Sequence, residues 1–160
     1  MRITSILVPT DFSENSQIAF EVACDLAGQI GSKVYLLHIQ DGNALRTAVK
    51  EDLFRSNLTD QQLQQSVKDL IAQGFSEMTA GLERLDVVVE CLSRRGYPKT
   101  AIVRFAREIK ADLIVIGMRG ITAMSTLTSV ALGSVTEWVL RRSPCPTLVV
   151  RLEHSDQRVQ

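Results

Sequence analysis

Apolar residues along the chain fall into two alternating patterns: short unbroken runs, and longer stretches in which they recur every three or four positions. The runs ITSILVP (residues 3–9), KVYLLHI (33–39), DVVVECL (86–92), DLIVI (112–116) and TLVVR (147–151) each predict a short strand. After the first run, Thr10-Asp11-Phe12-Ser13 offers capping side chains. Ile18, Ala19, Val22, Ala23, Leu26, Ala27 and Ile30 then lie at helical spacing, and Gly31 supplies a stop. Leu63, Val67, Leu70, Ile71, Phe75, Met78 and Leu82 predict one apolar face of a helix over about 59–82. Beyond the turn SRRGYP, Pro98 suits a first helical position, and Ala101, Ile102, Phe105, Ala106 and Ile109 form a core-facing stripe. A last helix over about 134–142 is broken by SPCP, and between residues 40 and 60 the periodicity fades, leaving LRTAVKEDLF as at most a short helix. Strands that are apolar throughout are buried on both faces, and helices between them make parallel crossovers. The pattern therefore predicts an α/β fold, a doubly wound five-stranded parallel sheet with helices on both faces.

Composition narrows the picture. At 160 residues, with 45% hydrophobic and 22% charged, the chain is expected to form a single domain over 1–152 followed by a polar, frayed tail at 153–160. Lys plus Arg and Asp plus Glu both number 18, so no basic stripe points to nucleic acid. No run approaches a membrane span, and the start, MRITSILVPTDFSENS, lacks the apolar stretch of a signal peptide. Cys24, Cys91 and Cys145 are odd in number, far apart and set in apolar surroundings. They predict free buried thiols and a cytoplasmic location.

In doubly wound sheets ligands bind beyond the carboxyl ends of the strands, where the strand order reverses. The residues there are Pro9, Thr10 and Asp11 after the first strand, His38 and Ile39 at the end of the second, and a glycine segment, GMRG…LGSV, after the fourth. Gly117 and Gly120 allow a bend and a close backbone approach. Gly133 and Ser134 open a helix whose free N–H groups and dipole suit an anion. The same residues also suit plain turns and a capped helix, and both readings stay open on this ground. His38 has no metal-ligand partners at suitable spacing and is expected to be structural.

PTDFS after the first strand, RGYP before the third long helix and GSVTEWVLRRSPCPTLVV at the end resemble the universal stress protein family, over nearly the whole chain except residues 40–60 and the tail. The resemblance implies a Rossmann-like sheet of order 3-2-1-4-5. It also implies the glycine motif G-x2-G-x9-G-[ST] of the family's nucleotide-binding members, which holds the phosphates and ribose of ATP. On that resemblance Gly117, Arg119, Gly120, Gly133, Ser134, Val135 and Thr136 surround the phosphates and ribose. Pro9, Asp11 and Ile39 flank the adenosine, with Thr10 and Ile116 beside them at the strand ends. Mg2+ is an expected companion of ATP without protein side chains of its own, and AMP or another adenine nucleotide stays open as the ligand. This chain departs from the motif between Gly120 and Gly133, where ITAMSTLTSVAL has twelve residues in place of nine.

A dedicated enzyme is not expected. The loop after the first strand, PTDFSENS, lacks the glycines of ATP-splitting relatives of the fold, and no general base stands out, so at most slow ATP hydrolysis is implied. The expectation is an ATP-binding regulatory module of the stress response, dimerising through its C-terminal strand and open to a protein partner. The alternative is a nucleotide-independent dimeric interaction protein of the same family.

Overall fold

A computed structural model describes residues 2–42, 59–82, 86–119 and 132–151. The elements run β1 (Ser5–Thr10), α1 (Glu14–Ile30), β2 (Lys33–Gln40), α2 (Asp60–Thr79), β3 (Val89–Arg95), α3 (Pro98–Glu108), β4 (Leu113–Gly117), α4 (Ser134–Arg142) and β5 (Thr147–Val150). The five strands form one parallel sheet of order β3-β2-β1-β4-β5. The expected short helix in LRTAVKEDLF, most of the glycine-segment loop and the C-terminal tail lie outside the described residues.

Strand alternation divides the core in two. Ile6 and Val8 of β1, Val34 and Leu36 of β2, and Leu113 and Val115 of β4 turn to one face, where α1 covers them with Ala19, Phe20, Ala23, Cys24 and Ala27 and α2 adds Met78. Leu7, Leu37, Ile39, Ile114 and Ile116 turn to the other face, under Ala101, Ile102, Phe105 and Ala106 of α3 and Val139 of α4. Each large side chain so buried contributes about 1.5–3 kcal/mol relative to exposure, so the central strands are held from both faces.

Local chemistry sets the helix limits. Ser13 caps α1 by accepting from the Ser16 N–H, and Gly31, at φ 69°, ends the helix in the left-handed region that glycine adopts without strain. Thr59 and Gln62 form a reciprocal capping box at the start of α2. Pro98 opens α3 at its first turn.

Three expectations need correction. The third strand is Val89–Arg95 rather than 86–92, pairing Val34 with Val89 through Gln40 with Arg95. As an edge strand it needs a partner for its backbone more than a double-sided core, so Glu90, Ser93, Arg94 and Arg95 are accommodated while Val88 is left exposed. Likewise Leu70, expected on the inward face of α2, is 66% exposed; the helix meets the core mainly through its C-terminal half, at Phe75 and Met78. Finally, all three cysteines are free, yet only Cys24 is fully buried, because Cys91 lies on the outward side of β3 and Cys145 at the half-buried entry to β5. Burial, helped by Asp25 and Glu21, pushes the Cys24 thiol up to about 12, so it is inert packing rather than a nucleophile.

Opposite ends of the sheet are tied differently. At the amino end, Oδ2 of Asp112, just before β4, accepts from the Thr4 N–H (2.9 Å), the Thr4 hydroxyl (2.8 Å), the Ser5 N–H (3.1 Å) and the Ser5 hydroxyl (3.1 Å). These donors, the Thr4 N–H first, hold the carboxyl at about 2. At the carboxyl end, Gly117 closes β4 so near to α1 that a Cβ there would lie 2.8 Å from the Asn15 carbonyl oxygen and 2.9 Å from its carbon. The obstacle is helix backbone and cannot rotate away.

Three outcomes are expected. The folded-state pKa of Asp112 lies below its ordinary 3.8, so its stabilising effect is complete above that value and is lost as pH falls toward about 2. An Asp112→Asn variant should therefore be less stable than wild type in urea melts at pH 7, with the difference shrinking at pH 2–3; a pH-independent difference would remove the charge from the explanation. Gly117→Ala should destabilise by about 1–3 kcal/mol through overpacking. In contrast, Gly28→Ala, whose methyl meets only Val87 Cγ2 at 3.4 Å, should stabilise α1 by up to about 1 kcal/mol.

Candidate functional site

Reversal of strand order places the crevice between the carboxyl ends of β1 and β4, with β2 beside β1. Two segments face this region: the turn from β1 into α1, and the junction of β4 with the start of α4.

The β1–α1 turn is held by side chains. The Thr10 hydroxyl oxygen accepts from the Phe12 N–H (2.9 Å) and lies 2.9 Å from Ser16 Oγ and 3.1 Å from Met78 Sδ. Ser16 Oγ donates in turn to the Ser13 carbonyl at 2.8 Å. Thr10 is buried, and its hydroxyl serves the fold rather than the crevice. Asp11 does not cap α1. Its Oδ1 accepts from the Ser13 N–H (3.1 Å) and the Ser13 hydroxyl (2.5 Å), and Ser13 is the cap, so the carboxylate supports the cap from the crevice side.

Phe12, between them, has φ 62°, in the left-handed region. A non-glycine residue there costs on the order of 1–3 kcal/mol and persists only where its surroundings enforce it. The enforcement is visible: the ring stacks on His38 at 4.5 Å between centroids and meets Phe75 edge-on at 5.3 Å. His38 donates from Nδ1 to the Thr10 carbonyl at 3.0 Å, which identifies the nitrogen carrying the proton. Burial lowers the His38 pKa, outweighing the Thr10 carbonyl and the Asp11 charge that raise it, so the ring is neutral at pH 7. As expected from its spacing, His38 is structural.

The second wall rests on β4. Ile116 and Gly117 are buried, Met118 donates its N–H to Val150 O (2.8 Å), and Arg119 is half-buried. The chain then returns to the same point: Gly133 donates its N–H to Met118 O at 2.9 Å, and the buried Thr136 hydroxyl donates to Gly117 O at 2.9 Å. Gly120 and residues 121–131 lie outside the described residues, but the two flanks of the longer loop are pinned together at the tip of β4. The three extra residues therefore do not carry Gly133 away. Gly133 is the N-cap of α4 and offers no capping side chain, leaving the first-turn N–H groups of Ser134, Val135 and Thr136 beside an exposed Ser134 hydroxyl.

The structure thus brings Pro9, Thr10, Asp11, Ile39, Ile116, Gly117, Arg119, Gly133, Ser134, Val135 and Thr136 to the carboxyl edge of the sheet and the helix start beside it. Their roles divide. Thr10 and Thr136 spend their hydroxyls inside the fold, and Gly117 makes room for Asn15. Asp11, Arg119, Ser134 and the helix-start amides of α4 are the further polar groups at this edge, with Asp11 already bonded to Ser13. Sequence reasoning missed Phe12 as the centre of the turn and Gly74, Phe75 and Met78 as its supports, because these last three come from α2, some sixty positions away. The one local signal was Gly74, a glycine inside a helix beside an aromatic residue. No cluster of three His, Cys, Asp or Glu side chains among the described residues could hold a metal, and no described helix is long and apolar enough to cross a membrane.

Comparison with known proteins agrees with this geometry. Universal stress protein MJ0577 of Methanocaldococcus jannaschii is 31% identical over 161 residues, covering 94% of this chain and 96% of that protein. Its solved structure superposes with a TM-score of 0.77 over 97% of this chain and all of that one. A universal stress protein solved in complex with cAMP is 25% identical, with a TM-score of 0.62 over 94% of this chain and 98% of that one. The model of the universal stress protein family matches residues 2–151. With the family's sheet order, the paired flanks of its glycine segment and this span of similarity, the chain belongs to the universal stress protein family.

Proposed function

We propose that the protein is an adenine-nucleotide-binding regulatory module of the stress response, with ATP as the ligand and Mg2+ as its companion, acting in the cytoplasm. The observation that carries this reading is the return of Gly133 to Met118, which sets the start of α4, without a capping side chain, at the tip of β4 despite the twelve-residue loop. That arrangement fits the ligand's chemistry. The helix-start N–H groups and the Ser134 hydroxyl suit phosphate oxygens. Arg119 suits their charge, and the Asp11 carboxylate with the backbone at Pro9 and Ile39 suits a nucleoside. A relative of 25% identity solved with cAMP supports the adenine class. On this reading the ligand acts as a signal, altering the 117–133 region that partners meet.

The same reading includes a homodimer through β5. Among the described residues that strand ends the sheet with one edge unpaired, and Leu148 on it is 41% exposed, as is Leu140 of α4 at 39%. An apolar edge of this kind invites a second copy about a two-fold axis.

Titration calorimetry with ATP, after removal of any co-purified nucleotide, tests the first proposal. Ser134→Ala should cost about 1.5–3 kcal/mol of binding, the value of a hydrogen bond to a charged group. Gly133→Val should damage binding more than stability, and deleting Ser125 to Leu127 should leave affinity at least as high as in the parent. A deletant that binds when the parent does not would make the longer loop an inhibitor of the site, and absence of binding in both would leave the nucleotide-independent reading. For the dimer, Leu148→Lys spares the core on which Val149 packs and should move the protein toward monomer in sedimentation. A wild type already monomeric at micromolar concentration defeats that part.

A further inference from the structure

Gly74 lies within α2, where glycine weakens a helix and normally needs a reason. The reason is Phe12. A Cβ at position 74 would stand 2.7 Å from Phe12 Cδ1, 2.8 Å from Cε1 and 2.9 Å from Cγ, so the ring of Phe12 lies directly on bare helix backbone. Around the same turn, α2 supplies Phe75 against the edge of the ring, Met78 Sδ at 3.1 Å from the Thr10 hydroxyl, and the Met78 carbonyl to Gln17 Nε2 at 3.4 Å. His38 of β2 stacks on the ring as well, itself fixed by its bond to the Thr10 carbonyl. A residue held at φ 62° from several directions is not an accident of a loose loop. It sets the direction in which its neighbour points, and its neighbour is Asp11, whose Oδ1 must reach both the N–H and the hydroxyl of Ser13.

We infer that Phe12 is the positioning residue for Asp11: its ring, seated on the bare backbone of Gly74 and clasped by Phe75 and His38, fixes the β1–α1 turn in the geometry that presents Asp11 to the nucleotide. This rests on the nucleotide reading above for what Asp11 does, but not for what holds it. Gly74 and Phe75 belong to α2, outside the two segments that face the crevice. The clamp also joins α2 to the site, so displacement of that helix moves the carboxylate without touching any ligand-facing residue.

The test uses the full chain with Gly74→Ala, Phe12→Leu, the double variant and Asp11→Ala, read out by ATP affinity and by amide hydrogen exchange. Gly74→Ala and Phe12→Leu should each speed exchange at the Phe12 and Ser13 amides, which donate to Thr10 Oγ1 and Asp11 Oδ1, while leaving Ala23 and Ala27 of α1 protected. Each should weaken ATP binding by roughly tenfold, and the double variant should be no worse than the weaker single one, because both act through one clamp. Unchanged exchange at Phe12 and Ser13 overturns the clamp whatever the nucleotide does. Faster exchange with unchanged ATP affinity, in a protein whose Asp11→Ala form has lost affinity, overturns its role in positioning. If wild type binds no ATP while exchange still responds, the nucleotide reading fails and the clamp on Asp11 stands.

Discussion

The architecture depends on one close approach, that of the first turn of α1 to the end of β4. Only a residue without a side chain can occupy position 117, because the Asn15 backbone fills the space a Cβ would need. From the opposite face of the sheet, Thr136 of α4 reaches the carbonyl of the same glycine. Helices from both layers are thus referenced to a single peptide at the point where strand order reverses. The crevice there inherits its width from backbone contacts, which are stiffer than side-chain contacts. Glycine at this position serves the scaffold first, and any ligand benefits from a wall whose place is already decided.

Much of this was legible from residue order, and the exceptions share a cause. Unbroken apolar runs located β1, β2 and β4 because those strands are covered on both faces. The same rule misjudged β3, where pairing along the length of β2 carries the strand into Ser93, Arg94 and Arg95. Helical spacing located α2 but overstated its inward face, since Leu70 satisfies the period and is still 66% exposed. At the site, position could be inferred and division of labour could not. Thr10 and Thr136 stand where a ligand-binding hydroxyl would be expected, yet both are buried donors to internal acceptors. Whether a hydroxyl at a strand end faces a ligand or a neighbouring loop depends on partners far along the chain, and local pattern carries no information about them.

The polar interior is economical in the same way. No buried side-chain nitrogen or oxygen among the described residues lacks a hydrogen-bond partner. The hydroxyls at Thr10, Ser13 and Thr136 each pair with a backbone group at a turn or a helix start, and Ser16 Oγ adds a second donor to the Ser13 carbonyl, which also accepts from the Gln17 N–H. These residues therefore act as parts of the backbone scheme, and they sit where the chain changes direction beneath the crevice.

The order of assembly follows from the pairing of β1 with β4. The residues tied at the foot of these strands, Thr4 and Asp112, are 108 positions apart, whereas β1 meets β2 across a single helix. A chain emerging from the ribosome can form β1, α1 and β2 early, but one flank of β1 stays unpaired until β4 has been made. During that interval Ile6 and Leu7 present an open apolar strand edge, and the crevice has only one wall. Synthesis time, rather than intrinsic strand affinity, sets how long this edge is exposed. The complete crevice can exist only once the second half of the chain has docked.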